Sequence, residues 1–361
     1  MFQIMFQKFE IPGLLFLVMA TFSNTSFASS SPIPVKVVVV TMFENGEVTG
    51  DKPGEFQFWV ERLNLDRVLS FELGEYELRM NDQGVLGICL GGGIANATAS
   101  IMALGMDDRF DLGKAYWLIA GIAGADPADM SLGSAAWARW VIDGDLLYEI
   151  DAREIPKDWP YGIIPLGADR PADGPQDIST GWTLNTIAFE LNQELVSWAY
   201  DISKDVELQD SPGIREFRKL FTGYPNAQKP PFVTIGETLS ASTYWHGALM
   251  DKWANDWVKL YSNEKMNFMT SNMEDSGTLT GLHRLGRSKL VDTQRVMVLR
   301  TASNFTKPPP GKEAAWSTTA PYPDAGLPAK EAAFAVGNVV VQEILRNWDK
   351  FENSVPGSQG R

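Results

Sequence analysis

The chain has 361 residues, of which 44% are hydrophobic, and its 31 basic and 45 acidic residues give a net charge of −14. This length and composition supply the core of one large domain or two small ones, and the excess of acid disfavours nucleic acid and anionic membranes as partners. A single cysteine, Cys89, excludes a disulfide within the chain, and two histidines without a partner at ligand spacing argue against a metal site.

The first 28 residues have the pattern of a secretory signal peptide. Lys8 precedes a short apolar segment over residues 11–22, and Ser26-Phe27-Ala28 forms a small-x-small cleavage site. The apolar segment is too short to span a membrane, and no later apolar run is longer. We therefore expect export to a periplasm or secretion, leaving residues 29–361 as a single domain without a membrane span. A retained N-terminal anchor is the alternative.

Alternating apolar runs and helical patterns follow along the rest of the chain. The helical patterns cover residues 94–106, 185–203, 243–262 and 331–351, and the runs that predict buried strands are 34–40, 84–90, 115–124, 231–236, 266–271 and 295–303. This alternation predicts an α/β domain with a central mixed, largely parallel sheet flanked by helices. Two segments rich in proline and glycine, 158–177 and 307–328, are predicted as surface insertions.

The ends of the predicted strands carry mostly small and polar residues. Ligands of open α/β sheets bind at the carboxyl ends of the strands. A site is therefore expected where these segments meet: "TMFE", "GGG", "AGIAGADP", "GETLSASTYW", "SNMEDSG" and "TASNFT".

Four motifs give the chain a resemblance to a known family. In their order, "LIAGIAGADP", "GETLSASTYW", "NMEDSG" and "RTASNFT" resemble motifs of the purine nucleoside phosphorylase and nucleosidase superfamily, and the sequence looks most like its purine nucleoside permease branch. The resemblance covers most of residues 35–350. It implies a three-layer nucleoside-phosphorylase-like fold, a purine nucleoside as the ligand and no cofactor. Relatives form dimers, trimers or hexamers, so a homo-oligomer is possible without its size being fixed.

The resemblance assigns a sugar site to "NMEDSG". It implies that Met273 packs under the ribose and that Glu274 accepts hydrogen bonds from both sugar hydroxyls, which the two oxygens of a carboxylate can do. Taken without the family, Glu274 is a charge favoured at a helix N-terminus. Asp275 departs from the family's small residue and has no assigned role. Gly92 and Gly124 are expected to let backbone approach the ligand closely.

The base site is implied by two other motifs. Tyr244 falls at the position where the family stacks an aromatic ring on the purine, with Trp245 beside it, although Trp245 also starts an apolar stripe at four-residue spacing. Asn304 falls at the position of the family's aspartate or asparagine, and it could stabilise charge on the departing base by hydrogen bonds. It cannot donate a proton outright, but it can hydrogen-bond O6 and N7 of an oxopurine, which points to inosine or guanosine over adenosine. A strand-end turn residue is the alternative.

The nucleophile is the least determined part of the site. The arginine and serine of the phosphorylases correspond here to Ile119 and Ile122, so phosphorolysis is disfavoured and water is the expected nucleophile. The resemblance implies an activating glutamate after the first strand, and we expect Glu44, with Glu47 as the alternative. These assignments predict a nucleosidase. A non-catalytic nucleoside-binding protein that supports uptake and a catalytically inactive relative are the other hypotheses.

Overall fold

Buried β-branched and aromatic segments form the strands of the protein. The computed structural model describes residues 31–179, 186–262 and 265–357, so the predicted signal peptide, residues 1–28, lies outside the described residues. The strands are β1 (Ile33–Pro34), β2 (Val37–Thr41), β3 (Arg67–Leu69), β4 (Leu78–Met80), β5 (Val85–Cys89), β6 (Phe110–Asp111), β7 (Tyr116–Ala125), β8 (Ala135–Trp137), β9 (Trp140–Asp143), β10 (Leu147–Glu149), β11 (Ile163–Pro165), β12 (Ala188–Glu190), β13 (Val233–Ile235), β14 (Glu237–Ser240), β15 (Phe268–Asn272) and β16 (Val296–Phe305).

Helices cover the faces of the sheet and connect its strands. Within the part of the chain that the structure describes, no helix is both long and apolar enough to cross a bilayer. The α-helices are α1 (Gln57–Arg62), α2 (Ile94–Gly105), α3 (Gln193–Ser203), α4 (Pro212–Arg218), α5 (Ala248–Tyr261), α6 (Asp275–Arg287), α7 (Leu327–Arg346) and α8 (Trp348–Phe351), and short 3₁₀ helices cover Pro175–Asp177, Thr293–Arg295, Ala314–Thr318 and Pro323–Gly326.

The long strand β7 organises the large sheet. One of its edges pairs in parallel with β16. Its other edge pairs in parallel with β2 near its start and antiparallel with β15 near its end. The sheet continues beyond β2 through β5, β4 and β3, and beyond β15 through β14, β9 and β12, while β8 and β13 extend it from β16. The predicted central mixed, largely parallel sheet of an α/β fold is confirmed.

The helices pack on this sheet with apolar faces. Helix α7 packs on β7 and β16, and α5 packs on β9, β14 and β15. Helices α2 and α6 pack on each other, and Ile101 and Leu282 lie in the main apolar core at this contact. From Pro32 onward the described residues form one compact unit. The carboxyl ends of β2, β7, β14, β15 and β16 are thereby fixed around one region.

Two predicted helices begin later in the structure than expected, and one predicted surface insertion contains a buried strand. The helix expected over 185–203 begins at Gln193, because Asn192 accepts hydrogen bonds from the backbone N–H groups of Glu194 and Leu195, and β12 lies before it. The helix expected over 243–262 begins at Ala248. In the segment 158–177, β11 pairs with β10 and its residues are buried, whereas 307–326 is mostly exposed.

Candidate functional site

A cavity with two lobes lies at the carboxyl ends of the central strands. The inner lobe has a volume of about 170 Å³ and the outer lobe about 400 Å³. The inner lobe contains the carboxyl groups of Glu55 and Glu274, whereas the outer lobe is largely aromatic. The lobes adjoin, because they share the lining residues Ile122, Tyr244, Ser303 and Asn304.

A β-bulge in β16 shapes the boundary between the lobes. Ala302 pairs with Ala123 of β7 and Asn304 with Gly124, so Ser303 is an extra residue in the ladder. Successive side chains of a regular strand point to opposite faces, but a bulge breaks this alternation. Ser303 and Asn304 are adjacent in sequence, and both line the cavity.

Asn272 connects β15 to α6 and positions the acidic pair that follows it. Its Oδ1 accepts hydrogen bonds from the backbone N–H groups of Glu274 (3.1 Å) and Asp275 (2.9 Å). Its Nδ2 donates to Thr238 Oγ1 at 2.7 Å, which ties the turn to β14. These bonds satisfy N–H groups that a helix start leaves free, and they fix both acids at the edge of the inner lobe.

Glu274 lines the inner lobe with its carboxylate partly engaged. Oε1 accepts from the backbone N–H of Gly93 at 3.3 Å and Oε2 from that of Met273 at 3.2 Å. Burial raises the pKa of Glu274, while Arg300, with Nη2 3.6 Å from Oε2, opposes that rise. A carboxylate has about four acceptor positions. Capacity therefore remains for two hydroxyl donors from the cavity.

Asp275, which had no role assigned from the sequence, forms a buried ion pair with Arg300. Its Oδ2 accepts from Arg300 Nε at 3.0 Å, and its Oδ1 accepts from Arg300 Nη2. Nη1 of Arg300 donates to the carbonyl oxygen of Ile122 at 3.0 Å. Both side chains are at least 99% buried, so the pair is removed from solvent screening. A lone arginine within the apolar run of β16 was the available signal, since a buried charge needs a partner.

Glu55 is the second carboxyl group of the inner lobe, and no sequence motif indicated it. Its Oε2 accepts from the backbone N–H of Met42 at 2.9 Å, and its Oε1 accepts from that of Ile122 at 2.6 Å. Burial raises the pKa of Glu55 to about 7, Arg300 opposes this rise, and Glu274 adds to it. Such a group changes protonation near neutral pH, as a general base must.

Glu44, the residue that we expected to activate water, lies outside the cavity lining. Its carboxylate accepts hydrogen bonds from four backbone N–H groups, those of Asn45, Gly54, Phe56 and Gln57. The alternative, Glu47, is exposed and also does not line the cavity. Glu44 thus ties together the loop that presents Glu55, because its acceptor positions are filled by backbone.

Gly121 allows the side chains of Arg300 and Glu55 to approach the backbone of β7 closely. A Cβ atom there would lie 2.6 Å from Arg300 Nη1 and 2.8 Å from Glu55 Oε1, so a side chain would separate or displace both. The predicted Gly124 lines the inner lobe. The predicted Gly92 is exposed and does not line it, and the neighbouring Gly93 contacts Glu274 instead.

The residues expected at the base lie together at the boundary of the lobes. Asn304 Nδ2 donates to the hydroxyl oxygen of Tyr244 at 2.9 Å, and Asn304 Oδ1 accepts from Ser303 Oγ at 3.0 Å. Tyr244 is 62% exposed and lines both lobes.

Trp245 lines the inner lobe and also packs on Trp253, with 5.7 Å between ring centroids. Met273 lines the inner lobe beside Glu274.

Ile119 and Ile122, which correspond to the arginine and serine of the phosphorylases, offer no polar side chain to a phosphate group. Ile119 is fully buried in β7, where it pairs with Val40 and Val298. Ile122 lines both lobes. The three guanidinium nitrogens of Arg300 are already bonded to Asp275 and Ile122.

The comparisons with known proteins first define the class of the fold. The structure resembles a mutant of Helicobacter pylori MTAN with 5′-methylthioadenosine in its active site, with a TM-score of 0.51 and 14% identity, covering 85% of this chain and 99% of that chain. Campylobacter jejuni 5′-methylthioadenosine/S-adenosylhomocysteine nucleosidase gives a TM-score of 0.50 at 14% identity, covering 86% and 99%. The fold is therefore of the nucleosidase and nucleoside phosphorylase type.

The sequence then defines the family. Residues 34–356 match the family Purine nucleoside permease (NUP), and the chain belongs to this family, which confirms the predicted resemblance. A purine nucleoside permease of Candida albicans is 32% identical over 272 residues, 74% of this chain and 65% of its own length. A Schizosaccharomyces pombe protein described as a probable purine nucleoside permease is 33% identical over 228 residues, 62% and 65%. The match thus spans about two thirds of these relatives.

Proposed function

We propose that the protein binds purine nucleosides in the two-lobed cavity and hydrolyses their N-glycosidic bond. The observation that carries this proposal is the inner lobe, where Glu274 has acceptor capacity for a sugar diol and Glu55 has a pKa raised to about 7. A sugar-binding carboxylate beside a group that can accept a proton at neutral pH is what hydrolysis requires.

The ribose is placed in the inner lobe. Its 2′- and 3′-hydroxyls donate to Glu274, and Met273 packs under the ring. Because Arg300 and Asp275 hold the neighbouring charges in place, the Glu274 carboxylate needs little rearrangement on binding. The base then extends towards Asn304 and Tyr244 at the boundary of the lobes.

Water is the proposed nucleophile, and Glu55 is the proposed base. As the bond between C1′ and N9 breaks, its electron pair leaves with the purine and the ribose becomes oxocarbenium-like. The water oxygen bonds to C1′, and its proton passes to Glu55. The departing base takes a proton from solvent, and Glu55 returns its proton to solvent. Apolar Ile119 and Ile122, together with a fully engaged Arg300, favour water over phosphate.

Asn304 is relevant to the choice of purine base and to a second candidate function. If Asn304 Nδ2 gives up its 3.3 Å bond to the carbonyl oxygen of Phe305 when the ligand binds, its amide can hydrogen-bond an oxopurine and stabilise negative charge there, which favours inosine and guanosine. An amide cannot act as a general acid that protonates the departing base. The same residue therefore also supports a second function, in which the protein binds nucleosides for uptake without cleaving them.

One experiment separates these functions. Purified protein is mixed with inosine or guanosine, with and without phosphate, and free base is followed by ultraviolet absorbance while binding is measured by calorimetry. Base release without phosphate is expected. Release only with phosphate would contradict the proposed nucleophile. Binding without release would identify a binding protein, and neither binding nor release would overturn nucleoside recognition.

Glu274→Gln tests the sugar site in the same assays. Loss of a charge-assisted pair of hydrogen bonds should weaken inosine binding by roughly 10- to 100-fold. The matched control is 2′,3′-dideoxyinosine, which has no diol and whose binding should be nearly unchanged by the substitution. An equal loss for both ligands would mean that Glu274 does not contact the sugar hydroxyls.

We also propose that the protein is exported by its first 28 residues, and that it meets nucleosides outside the cytoplasm. The support is the apolar segment 11–22 followed by the cleavage pattern at residues 26–28. N-terminal sequencing of the protein from cell fractions tests this. A mature N-terminus at Ser29 is expected, and an intact Met1 in the cytoplasmic fraction would contradict export.

A further inference from the structure

We propose that the outer lobe receives an apolar substituent on the purine base, so that the preferred ligands are base-modified purine nucleosides. This inference rests on the proposed nucleoside site and deepens it. An outer lobe of about 400 Å³, more than twice the volume of the inner lobe, adjoins the position proposed for the base. A cavity of that size lies in the range of sites that enclose whole small molecules, roughly 300–1,000 Å³.

The wall of the outer lobe is a connected set of aromatic rings. Phe217 lies 5.9 Å from Trp316 and 6.5 Å from Phe305 between ring centroids, and Phe221 lies 4.1 Å from Phe305. Tyr322, which is 46% exposed, also lines the lobe, as do the neighbouring prolines Pro321 and Pro323. Aromatic walls favour apolar and aromatic partners. Because the purine itself is placed at the boundary of the lobes, the rest of this wall is available to a substituent on the base.

The charge of the outer lobe excludes a phosphate group as its occupant. Among the described residues, Lys307 is the cation that lines it, and its Nζ lies 2.6 Å from Asp251 Oδ2 and 3.0 Å from Asp126 Oδ1. The lysine is therefore balanced by two buried carboxyl groups. Burial and the neighbouring Asp126 raise the pKa of Asp251 to about 6, so Asp251 is still mostly ionised at neutral pH. A nucleotide phosphate would meet net negative charge.

One polar group in the lobe is free to orient the modified base. His246 lines the outer lobe, and within the described residues neither of its buried ring nitrogens has a partner at hydrogen-bond geometry, although the backbone of Phe305 lies close enough to oppose the fall in its pKa. Burial lowers the pKa of His246, so the ring is neutral and offers one acceptor nitrogen. That nitrogen can accept from the N–H that links a substituent to the purine ring.

The test compares parent and modified nucleosides in the purified wild-type protein. Calorimetry measures adenosine against N⁶-benzyladenosine and guanosine against N²-benzylguanosine. At least one benzyl nucleoside should bind about tenfold more tightly than its parent or better, since filling an apolar pocket is worth 10-fold or more. If the parents bind and neither benzyl form binds more tightly, the outer-lobe proposal fails while the nucleoside site stands. If no nucleoside binds, both proposals fail.

A pair of variants tests whether the tighter binding of the benzyl nucleoside arises in the outer lobe. Trp316→Ala should remove most of the preference for the benzyl nucleoside and leave parent affinity within about twofold. Leu249→Ala is the matched control, because Leu249 is 65% exposed, lies three residues after His246 and lines neither lobe. Equal effects of both variants would overturn the assignment. Tighter binding of a 5′-benzylthio nucleoside than of either base-modified form, or of a nucleoside monophosphate than of its nucleoside, would overturn it too.

Discussion

Glu55 lines the inner lobe and has a raised pKa. As a base it must be ionised, and its pKa near 7 means that the ionised fraction grows as the pH rises through neutrality. The rate of base release should therefore rise with pH through about 7 and then level off. Glu55→Gln should lower this rate by at least about 100-fold and retain inosine binding. Initial rates across neutral pH and calorimetry check both expectations.

The control for this prediction is Glu47→Gln. Glu47 is an exposed acid in the same loop, so its replacement should leave the rate and its pH profile unchanged. A pH-independent rate in the wild-type protein, or full activity in Glu55→Gln, would exclude Glu55 as the base.

The buried pair of Arg300 and Asp275 should be important for stability. Asp275→Asn leaves a guanidinium without its main counter-charge, and we expect a loss of about 3–5 kcal/mol in the free energy of unfolding. Arg300→Met should cost more, because Glu55, Glu274 and Asp275 would then lie together without a cation. Denaturant titration measures both. A cost below about 1 kcal/mol for either variant would contradict the role of the pair.

The residues that the sequence could indicate are those that a single motif carries. Glu274, Met273 and Asn304 were placed at the cavity because their motifs follow strands. Glu55 and the partner of Asp275 were missed, because a loop with several acids does not show which of them turns inward. The pairing of Asp275 with Arg300 arises only when α6 and β16 come together in the fold. The roles of all these residues remain predictions.

At the scale of elements, the first turn of α7 connects two loops of the site. Nζ of Lys330 donates to the carbonyl oxygen of Pro53 at 2.9 Å and to that of Ala325 at 3.3 Å. The first loop presents Glu55, and the second, residues 307–326, lines the outer lobe. Burial lowers the pKa of Lys330, which is the cost of placing an ammonium group between the loops.

Lys330→Met should loosen both loops together. Two hydrogen bonds from a charged donor are lost, so we expect faster amide hydrogen exchange over residues 43–56 and 307–326 and little change in the strands. Lys312→Met, an exposed lysine of the second loop, is the control. Faster exchange in only one of the two loops would show that Lys330 does not couple them.

Strands were predicted well where a continuous apolar run marked them. The strands β2, β5, β7, β15 and β16 lie within the predicted runs to within about three residues. The run at 231–236 instead covers β13 and the approach to β14, because Gly236 donates to the carbonyl oxygen of Trp137 between the two strands. Sheet order, and with it the antiparallel contact of β15 with β7, depends on contacts between distant segments that periodicity does not encode.

At the scale of the whole molecule, β7 and β16 make the sheet one cooperative structure. β7 contacts β2, β15 and β16, so neither half of the sheet can separate without breaking its pairing. Thermal unfolding followed by tryptophan fluorescence and by far-ultraviolet circular dichroism should give coincident transitions. Buried tryptophans on both sides of β7, Trp59 and Trp253, report on the two halves. Two resolved transitions would contradict this expectation.

The bulge at Ser303 and the loop at 307–326 differ in how they tolerate changes in chain length. Deleting one residue from β16 would shift its ladder and turn Asn304 away from the cavity, whereas lengthening an exposed loop costs only a fraction of a kcal/mol per few residues. Insertions and deletions can therefore accumulate beside the outer lobe and not beside the inner one. Homologous proteins should diverge in the groups that they accept on the base while they retain the same requirement for the sugar.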